Sequence, residues 1–187
     1  MKYNNQWVID NKKTDFLFFW GNDPSRPFSQ WYPSPFDVGD LHFPTAEHWM
    51  MVQKALFFKD EEHVNAILKN PSPDAAKRMG RLVRNFDLKK WDEVKFDIVV
   101  QGSILKFKSD EYLKERLLGT GDKVLVEASP SDDIWGIKMG VENPDISDPT
   151  KWQGENLLGY ALMEARDEIR GGDALLKQAK ELEINNI

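Results

Sequence analysis

The sequence predicts a mainly α fold with a few short β-strands, an α+β domain compact enough to be a single unit. Three observations predict it. From residue 45 to 118 apolar residues recur at spacings of three and four, in runs opened by cap-forming residues. Two short runs rich in β-branched and aromatic residues, over 15–21 and 123–129, read as strands. The 187 residues suit one domain, long enough to bury roughly 70% of the unfolded surface in one core.

Taken in order, residues 1–14 are a polar N-terminal arm in which Trp7-Val8-Ile9 reads as a short strand. The aromatic run over 15–21 reads as a buried strand. Residues 21–44 are dense in Pro, Ser and Gly but also carry Phe28, Trp31, Tyr32, Phe36 and Phe43, which predicts a packed irregular segment. Thr45, behind Pro44, is placed to cap a helix reaching Phe58 whose apolar residues cover most of the wheel, so this helix is expected at the centre of the fold. Asp60 is placed to cap a helix to about residue 69. Ser72-Pro73 opens another to about residue 83, with proline at the favoured first position. Asp87 or Lys90 begins a long amphipathic helix to about residue 109, and Ser109-Asp110-Glu111 starts one more that the turn at Gly119-Thr120-Gly121 ends.

After the strand over 123–129, a loop leads to a second short strand over 134–139. The Pro- and Asp-rich stretch 140–154 reads as an exposed connection. Helical spacing returns over 156–170 and is expected to end at Gly171-Gly172, leaving 172–187 as a C-terminal helical tail outside a domain over 15–171.

Composition narrows the chemistry. With 25 basic against 31 acidic residues the net charge is −6, which argues against broad binding to nucleic-acid backbones and leaves room only for local phosphate contacts. There is no cysteine, so disulfides, thiolate catalysis and Cys-ligated metal sites are excluded. His42, His48 and His63 lack a zinc spacing, and no metal or cofactor is expected. No stretch approaches the ~20 apolar residues a membrane span needs, and the start lacks a signal-peptide pattern, so the expectation is a cytoplasmic protein with no membrane partner.

Within the central helix two charges require a reason. Glu47 and Lys54 lie close to two turns apart, on one stripe with Met50, Met51 and Phe58, about 10 Å from each other along the axis. Charges on such a stripe must be paired or face a cavity. Glu47 sits in the first turn, where the helix dipole favours an ionised carboxylate, so it is either an ordinary helix-start charge or a catalytic anion at a cavity edge.

The motifs Phe19-Trp-Gly21, Phe28-Ser-Gln-Trp-Tyr-Pro-Ser-Pro-Phe36, Thr45-Ala-Glu-His-Trp49 with Gln53-Lys54, Gly80-Arg81, Trp91, Val126-Glu-Ala-Ser-Pro130 with Asp132 and Ile134-Trp-Gly136, and Asn156-Leu-Leu-Gly-Tyr-Ala-Leu-Met163 occur in this order. As an ordered set, the chain resembles the YbiA/NADAR family. Two positions depart from that pattern: Ser103, where Asn is expected, and Lys138, where Gly is commoner. The resemblance implies a compact helical fold and a metal-free N-glycosidase acting on ribosides. The substrates it implies are aminated pyrimidine ribosides of riboflavin biosynthesis, or ADP-ribose attached to guanine, the base standing free or within nucleic acid.

Cleaving the bond from an anomeric carbon to nitrogen passes through an oxocarbenium-like state. It calls for a carboxylate to steady the cation or activate water, and for a donor to the departing base. Glu47 and Asp132 suit the carboxylate roles, although Ser129-Pro-Ser-Asp-Asp133 also looks like a turn in which Asp accepts backbone hydrogen bonds. Lys54 reads as a salt-bridge partner of Glu47, a phosphate or ribose ligand, or a nucleophile. Trp91 either stacks on the base, as the resemblance implies, or anchors the core. Arg81, Arg26 and Ser129 are candidate phosphate contacts, and the resemblance adds Trp20 and Gly21 to the binding residues. His48, about 100° round the helix from Glu47, reads as a buried, hydrogen-bonded histidine. The competing reading is a non-catalytic module that binds ADP-ribose or NAD in the same pocket. Either form is expected as a monomer or a small homo-oligomer.

Overall fold

The computed structural model describes residues 1–21 and 23–184, with side chains through residue 172. Among these, seven α-helices and four short strands make the α+β architecture expected from the sequence. The order is α1 (Asn5–Asp10), β1 (Phe16–Phe19), β2 (Phe36–Val38), β3 (Leu41–Phe43), α2 (Ala46–Phe57), α3 (Glu61–Leu68), α4 (Pro73–Arg81), α5 (Leu88–Lys108), α6 (Glu111–Leu118), β4 (Val124–Glu127) and α7 (Leu157–Ile184).

Short-range capping sets most helix starts. Thr45, Asp60, Ser72, Asp87 and Asp110 each accept a hydrogen bond from a backbone N–H three residues on, satisfying a donor that a helix start leaves free. Helix α2 is the centre, as its apolar surround predicts: Ala46 to Val52 and Ala55 are buried, and it packs on α3, α4, α5 and β3. Trp49 packs against Phe36 and Phe43, whose rings stack on each other, and its indole donates to Ile98 O at 2.9 Å. Helix α5 packs on α2, α6 and α7, so the longer helices enclose one core.

Strands β1 and β4 pair in parallel with Phe16 opposite Val124 and Phe19 opposite Glu127. Val124, Leu125 and Val126 are wholly buried, as a short strand covered by α7 requires. Both strands run the same way, so the residues leaving their carboxyl ends, Trp20-Gly21 and Ala128-Ser129, emerge on one side. Open parallel sheets bind ligands on that side.

Several expectations are corrected. Trp7-Val8-Ile9 is helical: Asn4 caps α1 by accepting from Trp7 N at 2.7 Å, only Val8 of the three is fully buried, and the arm docks on α7 through Tyr3 to Asp167 and Tyr160 to Asn5. Residues 21–44 contain the antiparallel hairpin β2–β3, its turn made by Gly39 at φ 59° and Asp40. Residues 134–139 form a bent loop and no strand, because Asp132 draws the N–H groups of Ile134 and Trp135 into its own carboxylate. The stretch 140–154 is partly buried, with Trp152 donating to Ile146 O inside it and a single 3-10 turn at Pro149–Lys151.

The glycines at 171 and 172 do not end α7, whose backbone continues to Ile184. Glycine in a helix interior costs about 1 kcal/mol without blocking the helix sterically. Of the helical tail expected over 172–187, the side chains beyond 172 lie outside the described residues. Among the described residues no helix is long and apolar enough to cross a membrane.

Candidate active site

The carboxyl ends of β1 and β4, the first turns of α2, the last turns of α4 and the start of α5 surround a cavity of about 840 Å³. That is the size range of small-molecule sites. Trp20, Gly21, Glu47, Lys54, Arg81, Trp91, Ser129 and Asp132, scattered over more than a hundred positions of sequence, all line it. Arg26 does not: its guanidinium donates to Phe18 O at 2.8 Å and lies 4.0 Å from Asp23, turned to the strand edge. Gly21 sits at φ 67°, a left-handed backbone that favours glycine.

Glu47 is 3% exposed, and its Oε1 is buried without a hydrogen-bond partner. The helix dipole was expected to keep this carboxylate ionised. Burial instead pushes its pKa up to about 7, against the opposing pull of the Lys77 charge, a Trp31 side-chain hydrogen bond and Arg81; the Asp132 charge raises it further. The magnitudes explain the outcome, since a dipole contributes about 0.3–1 kcal/mol whereas full burial shifts a carboxyl by up to 3–5 units. The Glu47 N–H is already taken, donating to Gln30 O at 3.0 Å.

That contact links Glu47 to the strip Ser29-Gln30-Trp31, which also lines the cavity. The strip is pinned from behind by Lys106, 1% exposed, whose Nζ donates to Ser29 O at 2.8 Å beside the Tyr32 and Phe107 rings. Burial lowers the Lys106 pKa to about 7.

Among the described residues no ion pair joins Lys54 to Glu47. The Lys54 ammonium lies 4.1 Å from the centroid of Phe86 and 5.8 Å from that of Trp91. Burial first, and then the Arg81 charge, lowers its pKa. His48 is wholly buried, with Nε2 donating to Asn70 O and Nδ1 accepting from the Thr45 hydroxyl, each at 2.8 Å. It stays neutral, its pKa lowered by burial, and does not line the cavity.

Asp132 is a turn residue that also borders the cavity. Oδ1 accepts from Ile134 N at 3.0 Å and Trp135 N at 2.7 Å, fixing the side chain, while the residue borders the cavity. Asp133 borders it too, but is exposed and paired to Lys138 at 3.1 Å. The loop closes at Gly136, where a Cβ would come within 2.9 Å of Glu127 O and Ser129 Cβ. Lys138, where the resemblance led to an expectation of glycine, takes φ 54°, a left-handed backbone that favours glycine, and Ser103 leaves its Oγ buried and unpartnered where Asn was expected.

Sequence reasoning missed Glu127, the last residue of β4. Its Oε2 is buried without a partner and it lines the cavity with Glu47 and Asp132. Burial, with the Asp132 charge adding, pushes its pKa up to about 8. The signal that could have found it is alternation: Glu127 interrupts an otherwise apolar run, and a charge on a buried strand needs a partner or a cavity. Lys77, Trp31, Phe86 and Trp135 also line the cavity without having been singled out for it.

The sequence model of the NADAR domain matches residues 18–170, a span that includes every one of these cavity residues. The chain belongs to the NADAR domain family. It is 42% identical over 162 residues to an N-glycosidase of Acanthamoeba polyphaga mimivirus, covering 82% of this chain and 95% of that one. It is 32% identical over 152 residues to N-glycosidase YbiA of Escherichia coli, covering 81% and 86%. The solved NMR structure of the E. coli protein YbiA superposes with a TM-score of 0.70 at 30% identity, over 87% of this chain and 89% of that one.

Proposed function

We propose that this NADAR-family chain is an N-glycosidase that hydrolyses the bond between a ribosyl anomeric carbon and the nitrogen of a planar base or amine. The observation that carries the reading is the convergence of three carboxyl groups, from α2, β4 and the loop after β4, on one cavity where two of their oxygens are buried and unpartnered. A chain that merely bound its ligand would gain stability by replacing such groups, since each orphaned buried polar atom costs about 1–3 kcal/mol. A glycosidase needs them, because positive charge develops at the anomeric carbon as the bond breaks.

Glu47 and Asp132 supply negative charge beside that carbon, and water, activated by the carboxylate, is the acceptor. Lys54 and Arg81 offer cations to the ribose or its phosphate, and Ser129 a hydroxyl. Trp91, together with Trp20 at 57% exposure, offers indole faces to the base. The substrate is an aminated pyrimidine riboside of riboflavin biosynthesis or guanine carrying ADP-ribose, both of which present a flat base beside a phosphorylated ribose, and the base is the leaving group.

Incubating the protein with a ribosylated aminopyrimidine phosphate and with ADP-ribosylated guanine, followed by mass analysis of the freed base and sugar, tests the reading. Release of base with one oxygen from isotopically labelled water in the sugar is the expected result. Tight binding of either compound with no freed base would replace it with the binding-module reading.

A further inference from the structure

The Glu127 backbone is locked from both sides: its N–H donates to Asn156 Oδ1 at 3.0 Å, and its carbonyl accepts from Ile137 N at 3.0 Å. Asn156, itself fully buried at φ 55°, donates in turn to Leu125 O at 3.0 Å, so one side chain ties the start of α7 to β4. A rigid backbone therefore aims a carboxyl into the cavity, and that carboxyl neither caps, pairs nor bridges anything through its buried Oε2. Such a group weakens the fold compared with an apolar side chain, so its presence on an otherwise buried strand points to use.

Its surroundings differ from those of Glu47. The charges acting on Glu127 are Asp132 and Glu47, which oppose ionisation, and Lys77, which favours it. Burial opposes ionisation most strongly at both; beyond it, Glu47 has Lys77, Arg81 and a Trp31 hydrogen bond on the side of ionisation and the Asp132 charge against it. Of two buried carboxyls in one cavity, Glu47 has the more groups beside it that favour its charge and Glu127 has two carboxyls acting against its own, so the surroundings favour the proton resting on Glu127.

We propose that Glu127 is the catalytic acid, the group that protonates the leaving nitrogen; the assignment rests on the glycosidase reading above. As the bond from the anomeric carbon to nitrogen breaks, its electron pair leaves with nitrogen, which takes the Glu127 carboxyl proton. The anomeric carbon takes the oxygen of water, whose proton passes to the Glu47 carboxylate. One water is consumed, nothing is oxidised or reduced, and the Glu47 proton returns through solvent to Glu127.

The test compares kcat/KM against pH for wild type, Glu127→Gln and Glu127→Asp on a ribosylated base that wild type cleaves. A general acid acts only while protonated, so the wild-type rate falls as pH rises through the Glu127 pKa, near 8. Glu127→Gln should lose at least about a hundredfold in kcat/KM and show no such alkaline limb. Glu127→Asp, still an acid, should recover part of the rate with the limb displaced. A Glu127→Gln protein within a few-fold of wild type, or a slow one that keeps the limb, overturns the proposal, as does a wild type with no limb. Should Glu127→Gln fail to fold by circular dichroism, the Asp variant decides, and an unmoved limb overturns it. A wild type that frees no base from any riboside overturns the glycosidase reading itself, and this assignment with it.

Discussion

Two acidic side chains are buried near opposite ends of α2, and the fold treats them in opposite ways. Asp60, beyond the carboxyl end, accepts from Arg84 N, Arg84 Nη2 and His63 Nδ1 at 2.8, 2.7 and 2.8 Å, and from His63 N as the cap of α3. These bonds, Arg84 foremost, hold its carboxyl well below the usual range. Glu47, in the first turn, keeps an orphaned oxygen and is pushed up to about 7. Asp60 shows that this fold can satisfy a buried carboxylate where the role is structural, so the unsatisfied one beside a cavity is the one we propose for chemistry.

Asp132 stands between these cases and sharpens the comparison most. Asp132→Asn keeps an oxygen to accept from Ile134 and Trp135, so the protein should melt near wild type. The charge is lost, and kcat should fall by at least about a hundredfold. A folded variant with near-normal turnover returns Asp132 to a turn residue.

Trp91→Ala probes the aromatic side of the same cavity. If the indole stacks on the base, recognition weakens by about 1–3 kcal/mol, read as a raised KM, and Trp91→Phe keeps much of it. Unchanged kinetics in a folded Trp91→Ala protein would make the ring a core anchor.

The smallest effects are on stability, and they run in opposite directions with pH. Glu47 binds its proton more tightly folded than unfolded, so its contribution is fully present below about 4.5 and is lost as pH rises through about 7. Glu47→Gln should therefore gain on wild type in melting temperature between pH 5 and pH 8. For Asp60 the folded pKa lies below the ordinary 3.8, so its contribution is present above that value and lost as pH falls through the lowered one. Asp60→Asn should melt several degrees below wild type at neutral pH, with the gap closing in acid and turnover within a few-fold. Parallel pH profiles for the two variants would break the comparison.

What the sequence made legible was local. Caps at Thr45, Asp60 and Ser72 could be placed because a cap and its N–H lie three residues apart, while Asp87 stood beside Lys90, and Asp110 beside Ser109 and Glu111, as candidate starts. The stripe carrying Glu47, Met50, Met51, Lys54 and Phe58 followed from helical geometry, and all but Phe58 line the cavity. Two short elements escaped because their residues pointed elsewhere: Trp7-Val8-Ile9 has strand propensity but is decided by Asn4 and by docking on α7, and the hairpin turn at Gly39 lay among residues with loop composition. Glu127, Lys77 and Lys106 stayed invisible for a deeper reason. Whether a charge on a strand or helix meets solvent, a cavity or a distant carbonyl depends on chain segments far away in sequence, as Ser29 is from Lys106.

The central claim, that the orphaned Glu47 carboxylate drives cleavage of a ribosyl carbon–nitrogen bond, is tested most directly by comparing wild type and Glu47→Gln on one cleavable riboside at neutral pH, with melting followed in parallel. The account predicts a variant that melts at or above wild type, still binds the riboside, and turns it over at least about a hundredfold more slowly. A Glu47→Gln protein that is folded and turns over within a few-fold of wild type would contradict it.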